Sequence, residues 1–326
     1  MNTMKWLIKR EFWEHKGGFF WAPMIVGALI SALIALPAFY FAAKGDDVQV
    51  RINGEIRSGG EAVKQFSQRM TPEQMTLVTD AAASSYMGFA GPLAGLLGFV
   101  LFFFCLNALF DERKDRSVLF WKSLPVSDTE TVLSKVAMAL AAAPLVTLAC
   151  AIASALFSVL AVTLAASMVG VGSLSALLTT PALYYSPLLV AAMLPVFAVW
   201  ALPAVGWLLM VGAWAKSKPF VWAVGVPVLV GGLIAWLNKM FALGWDTSWF
   251  WKNIVGRILL SIVPGSWFGL NTLDGSYQVG IRQTQVSMLL DKSWQQFVNP
   301  NIWIGAIAGC AMIYVAIRLR RWRDEG

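Results

Sequence analysis

Long apolar blocks alternate along the chain with short polar stretches. A helix needs about 20 apolar residues to cross the hydrocarbon layer of a bilayer. Six stretches approach or exceed that length: Phe19–Ala43, Tyr86–Phe110, Val136–Ser167, Leu188–Ala215, Phe220–Leu243 and Ile302–Ile317. The pattern predicts an all-α integral membrane protein with six transmembrane helices in a single domain, residues 1–326. The last block is the shortest, and the fifth is interrupted by Pro and Gly.

Between the blocks the rhythm changes. In residues 44–85, VQVRINGEIR alternates Val48, Val50 and Ile52, then reaches Asn53-Gly54, a type I′ hairpin signal. Further on, TPEQ supplies Thr71 as N-cap, Pro72 at the first helical position and Gln74 to close a capping box. A small hairpin followed by a helix is expected there. Residues 244–300 carry Trp245, Trp249, Trp251, Trp267 and Trp294. The stretch NIVGRILLSIVPGSWFGL is apolar but broken by Arg257 and Pro264-Gly265, which predicts re-entrant or interfacial helices rather than a seventh span. Within residues 1–18, MKWLIKREFWEHKGG reads as a short amphipathic helix in the headgroup layer. Met4, Leu7, Ile8 and Phe12 share a face, although Glu11 and His15 also fall on it. Gly17-Gly18 is expected to end this helix and turn the chain into the membrane.

Composition agrees with the pattern. The chain is 58% hydrophobic and 13% charged, with mean hydropathy +0.66, whereas soluble domains average roughly 25% charged residues. The formal net charge of +7 reads as membrane topology and headgroup contact rather than nucleic-acid binding. No secretory signal peptide is recognised, so the first apolar block is expected to remain as a span. Basic residues orient the spans. They cluster in the N-terminal segment (Lys5, Lys9, Arg10, Lys16), after span two (Arg113, Lys114, Arg116, Lys122, Lys135), after span four (Lys216, Lys218) and in the tail (Arg318, Arg320, Arg321, Arg323). The positive-inside rule then places both termini and residues 111–135 in the cytoplasm, with 44–85 and 244–300 outside.

Several chemistries are missing. There is no G-x-x-x-x-G-K-[ST] to hold a nucleotide, no H-E-x-x-H and no G-x-S-x-G. Cys105, Cys150 and Cys310 lie in apolar runs without ligand spacing, and the single histidine, His15, reads as an interfacial residue. No catalytic residue, cofactor site or metal site is assigned, and the chain is not read as an enzyme. No span carries an ionisable side chain near its middle, which weighs against an ion-driven carrier. Span two carries Gly88, Gly91, Gly95 and Gly98 on one stripe, and Gly91-xxx-Gly95 is a close-packing motif. Pro37, Pro92, Pro144, Pro195, Pro203 and Pro227 fall within spans and favour kinks.

The segment DERKDRSVLFWKSLPVSDTETVLSK, residues 111–135, holds the most specific signals. Five basic and five acidic residues balance. Val118, Leu119, Phe120, Trp121 and Leu124 form an apolar group rimmed by charge, a candidate docking surface. Pro125 breaks the chain. SDTE is a capping box, with Ser127 as N-cap, Glu130 reaching back and Asp128 at the positive end of the helix.

In this layout the chain resembles the membrane permease subunit of type 2 ATP-binding-cassette exporters, with DERKDRS and LPVS the most family-like words. The resemblance implies that residues 111–135 form a coupling region docked on a separate ATPase subunit. It also implies that Ala215–Pro219 makes a minor contact with that subunit. Candidate ATPase-contact residues are Glu112, Arg116, Phe120, Trp121, Leu124, Ser127, Asp128 and Glu130. Ser127, Asp128 and Glu130 act by forming the helix that docks. ATP and Mg belong to the partner ATPase. The permease is expected to pair with a second copy or a paralogue, and to sit in lipid as a multi-pass protein of a bacterial inner (plasma) membrane. The function so implied is ATP-driven export of an amphiphilic or hydrophobic substrate. A non-transporting membrane scaffold or assembly protein, and an ion-independent secondary carrier, are the alternatives.

Overall fold

A computed structural model describes residues 3–52, 55–84, 86–115, 126–171, 174–270 and 286–322. Among the described residues, six helices are long and apolar enough to cross a membrane: Gly17–Lys44, Gly91–Lys114, Asp128–Met168, Ala182–Trp214, Pro219–Phe241 and Pro300–Trp322, hereafter spans one to six. The chain is a multi-pass membrane protein. Spans one, three and six overrun their apolar blocks at both ends, because a helix ends where its backbone is capped, not where hydrophobicity stops. Span three shows this best. Its 41 residues reach about 60 Å at 1.5 Å per residue, twice the roughly 30 Å hydrocarbon layer.

Span four is the centre of the bundle. Val196, Phe197, Trp200, Ala201, Ala204, Val205, Leu208 and Leu209 are all buried in the main core. Span six packs along it where two glycines meet. A Cβ on Gly206 would strike the carbonyl of Gly309, and a Cβ on Gly309 would lie 2.5 Å from the backbone of Leu202. Side chains are excluded there because the backbones themselves are in contact, the small-residue packing typical of membrane helices. Span one packs on span three, where Gly27 faces Ser154 and the Ser31 hydroxyl donates to the Ser154 carbonyl at 3.1 Å. Span five is the least buried of the six.

The N-terminal helix α1, Thr3–Glu14, buries Leu7 and Glu11 and leaves Trp6 and Trp13 exposed. Gly17-Gly18 do not break the path as expected. They open a π turn, Gly17–Trp21, that runs directly into span one. The reason for a glycine is close approach: a Cβ on Gly18 would sit 3.0 Å from Val100 of span two. A second π turn, Met138–Ala142, precedes Pro144 in span three.

At the end of the bundle away from α1, strands β1 (Gln49–Ile52) and β2 (Glu55–Ser58) pair antiparallel, with Gln49 opposite Ser58 and Ile52 opposite Glu55. The Asn53-Gly54 turn lies outside the described residues. Helix Gly59–Arg69 is capped by the Ser58 hydroxyl, and helix Pro72–Ala83 by the reciprocal Thr71–Gln74 box. Ala83 anchors the second of these against Ala155 and Leu177. After span five, a continuous helical limb covers residues 247–260, turns at Gly265 (φ 84°) and returns as Ser266–Leu270. The first limb is about 21 Å long, too short to span. Arg257 from this limb is buried, with its guanidinium 4.5 Å from the Trp200 ring centroid and bonded to the carbonyls of Asn301 and Ile302. Gly305 leaves the room it occupies.

Candidate functional site

Span two does not stop at its apolar run. Beyond Asn107 the chain makes one more helical turn, Phe110–Lys114, which carries the charged start of the 111–135 segment. Span three, entering from the other side of that segment, starts at Asp128 with its capping box formed. The Ser127 hydroxyl accepts from the Glu130 amide at 3.1 Å, and the Glu130 carboxylate accepts from the Ser127 amide at 3.1 Å. The box fixes where the helix begins, and so fixes Asp128, Thr131 and Lys135 relative to the bundle.

Six charged side chains from four elements converge between these two helix ends. Lys135 Nζ lies 2.9 Å from both Glu11 Oε1 on α1 and Glu112 Oε1. Arg320, in the last turns of span six, reaches Glu112 Oε2 at 2.5 Å and Asp128 Oδ1 at 3.0 Å. Arg10 touches Glu11 at 2.5 Å and Glu112 at 3.5 Å, and holds Glu14 at 3.3 Å on the exposed edge. Glu11 is 0% exposed, Lys135 2% and Arg320 4%. Burying ions costs several kcal/mol each and is sustained only when they neutralise and hydrogen-bond one another. Here three cations (Arg10, Lys135, Arg320) match three carboxylates (Glu11, Glu112, Asp128). Glu112 is the hub, since it contacts all three cations.

Its neighbour ties in a further element. Arg113 donates to the carbonyls of Gly212 (2.7 Å) and Ala215 (2.8 Å) at the C-terminus of span four, where helix carbonyls lack intrahelical donors and the dipole favours a cation. One helical turn, Phe110–Lys114, is thus fastened to α1, span three, span four and span six.

Of the residues picked from the sequence, Glu112, Asp128, Ser127 and Glu130 come together in this region. Arg116, Phe120, Trp121 and Leu124 lie outside the described residues. In the glycine stripe, Gly88, Gly91 and Gly95 have no atom from another element of the described residues within 4 Å of a built Cβ, while Gly98 meets Val263. Sequence reasoning missed Arg10, Glu11, Arg113, Lys135 and Arg320 as members of one site. A signal existed for Glu11, a carboxylate on the otherwise apolar face of α1.

Glu11, Glu14 and His15 bring their ligand atoms within 4.8 Å of one another. Both carboxylates are already held by Arg10, and Glu11 also by Lys135, so a cation there would meet two positive charges. The His15 ring instead packs edge-on against Phe104 at 4.9 Å. No protein family, curated protein or solved structure matches the chain.

Proposed function

We propose that the chain is the transmembrane permease subunit of an ATP-driven exporter, worked by a separate ATPase subunit that docks on residues 111–135. The observation that carries this reading is the buried ion cluster. It clamps the base of the 111–135 segment to α1 and to spans three and six, and the adjacent Arg113 fastens it to span four, so a push on the segment is delivered to most of the bundle at once. A tether that only joined two anchors would need no such clamp. The spans carry no ionisable group near their middles on which ion coupling could run, and the chain has no nucleotide-binding loop of its own. Energy therefore enters through a partner. In this reading the cluster faces the cytoplasm, in keeping with the Lys and Arg bias, and an amphiphilic or hydrophobic compound is the cargo.

The test is biochemical. Affinity purification of the full chain from its native membrane in mild detergent should bring down a P-loop ATPase, and sealed vesicles carrying both should show ATP-dependent flux. Recovery of the intact chain without an ATPase, together with no flux, refutes the proposal in favour of a scaffold or a secondary carrier.

A further inference from the structure

A cavity of ≈ 300 Å³ lies between spans two, three and four and the returning helix Ser266–Leu270. Its floor is buried and its rim is exposed at Gly91, so it is a groove that the medium around the bundle fills. Its walls include Ala94 and Leu97 of span two, Leu148 and Ala151 of span three, and Phe197 of span four. Among the described residues, no charged one lines it. The Trp267 indole N–H is already bonded to Ser293 at 3.1 Å. That leaves the Thr147 hydroxyl, itself buried, as the remaining side-chain polar group. Such a lining cannot replace the hydration of a headgroup or any charged ligand.

Depth narrows the choice. Thr147 is twelve positions beyond Lys135, about 18 Å along the helix axis from the ion cluster. A hydrocarbon layer of roughly 30 Å that begins near the cluster has its middle at that level. The surrounding medium there is acyl chain. Gly91, at the rim, is exposed, has no side chain and has no described side chain within 4 Å of a built Cβ; it lies about 32 Å along span two from Glu112 of the cluster, so the cavity opens near the far edge of that layer and runs inward to its middle. The volume is at the bottom of the roughly 300–1,000 Å³ range of small-molecule sites, which suits one slender chain rather than a polycyclic body.

We infer that the cavity is a binding site for a single acyl chain of a bilayer phospholipid. This does not depend on the transport reading, since a chain that binds no ATPase would keep the site.

The test uses the full chain in phosphatidylcholine nanodiscs containing a trace of phospholipid with a mid-chain diazirine. After photolysis, labelled positions are mapped by mass spectrometry. Label should concentrate on Leu148, Ala151 and Leu97, above the level at Leu229, which is exposed on span five. Ala151→Phe, filling one wall, should reduce cavity labelling to the Leu229 level, and Ala94→Leu should do the same from the opposite wall. Thermal unfolding midpoints identify a variant that fails to fold, and the other variant then decides. Cavity labelling no higher than at Leu229, or unchanged in the folded variants, overturns the inference.

Discussion

Replacing Lys135 by Met isolates what the ion cluster contributes. The substitution keeps much of the side-chain volume and removes one charge from a site that is 2% exposed. In the wild type, Lys135 Nζ stands between Glu11 Oε1 and Glu112 Oε1 at 2.9 Å from each, so the two oxygens are at most 5.8 Å apart and the cation screens them from one another. Without it, three carboxylates, Glu11 buried and Glu112 and Asp128 partly so, face two cations. Glu112 keeps Arg10 and Arg320, but Glu11 keeps Arg10 alone. Breaking a buried pair by deleting one partner costs about 3–5 kcal/mol, a large share of the roughly 5–15 kcal/mol that folds a typical domain.

The loss has a signature that distinguishes charge imbalance from simple packing damage. Glu11→Gln in the Lys135→Met background restores two carboxylates against two cations. The double variant should therefore be more stable than Lys135→Met alone, with a coupling energy of about 0.5–3 kcal/mol in the cycle. Unfolding in mixed micelles, titrated with dodecyl sulfate and followed by tryptophan fluorescence, measures all four species. If Lys135→Met shifts stability by less than about 0.5 kcal/mol, or if the two substitutions add within that margin, the cluster is not an energetic unit. The clamp that supports the coupling reading then loses its basis.

Three further outcomes follow. Gly309→Leu drives a side chain into the backbone of Leu202 and should destabilise the bundle by about 1–3 kcal/mol or more, whereas Gly95→Leu, with open space before it, should leave monomer stability within about 0.5 kcal/mol. Equal melting shifts contradict the assignment of the close contact to spans four and six, and a selective loss of dimer in Gly95→Leu marks the stripe as an intermolecular face. Ser127→Ala removes the cap of span three and should cost about 0.5–2 kcal/mol, with faster hydrogen exchange at the Glu130 amide as the local readout; unchanged exchange argues that the box is not holding the helix start. Trp121→Ala combined with Leu124→Ala should insert normally but weaken ATPase association, and undiminished association moves the docking site elsewhere.

The features that could be read from the sequence are those set by neighbours in the chain. Apolar runs announce the spans because the cost of exposing backbone to lipid is met within each helix. The Ser127–Glu130 and Thr71–Gln74 boxes are local for the same reason. The ion cluster is different. Glu112 pairs with Arg10 across 102 positions and with Arg320 across 208, and no local pattern specifies such partners. The Gly206–Gly309 contact is invisible for a related cause. Each glycine is ordinary in its own helix, and only their juxtaposition gives them meaning. The stripe of span two presents the reverse situation, a conspicuous pattern whose Gly88, Gly91 and Gly95 meet no other element among the described residues.

Glu11 joins the two levels. On the helical wheel of α1 it spoils the apolar face that Met4, Leu7, Ile8 and Phe12 would otherwise form, and a helix lying passively on a membrane surface gains nothing from it. In the folded chain that face packs on span three, and Glu11 meets Lys135 there. Lys135 likewise sits at the edge of an apolar run, where a lone cation would ordinarily extend to the headgroups. Each of these residues is unfavourable by itself and is accommodated only through the other. An element held by mutually dependent buried charges has a defined seat rather than a sliding one, because displacement by a few ångströms exposes unpaired ions to low dielectric. The turn Phe110–Lys114 shares that seat through Glu112. On the proposed coupling reading, movement imposed on the segment beyond it is passed on through these contacts to α1 and spans three, four and six.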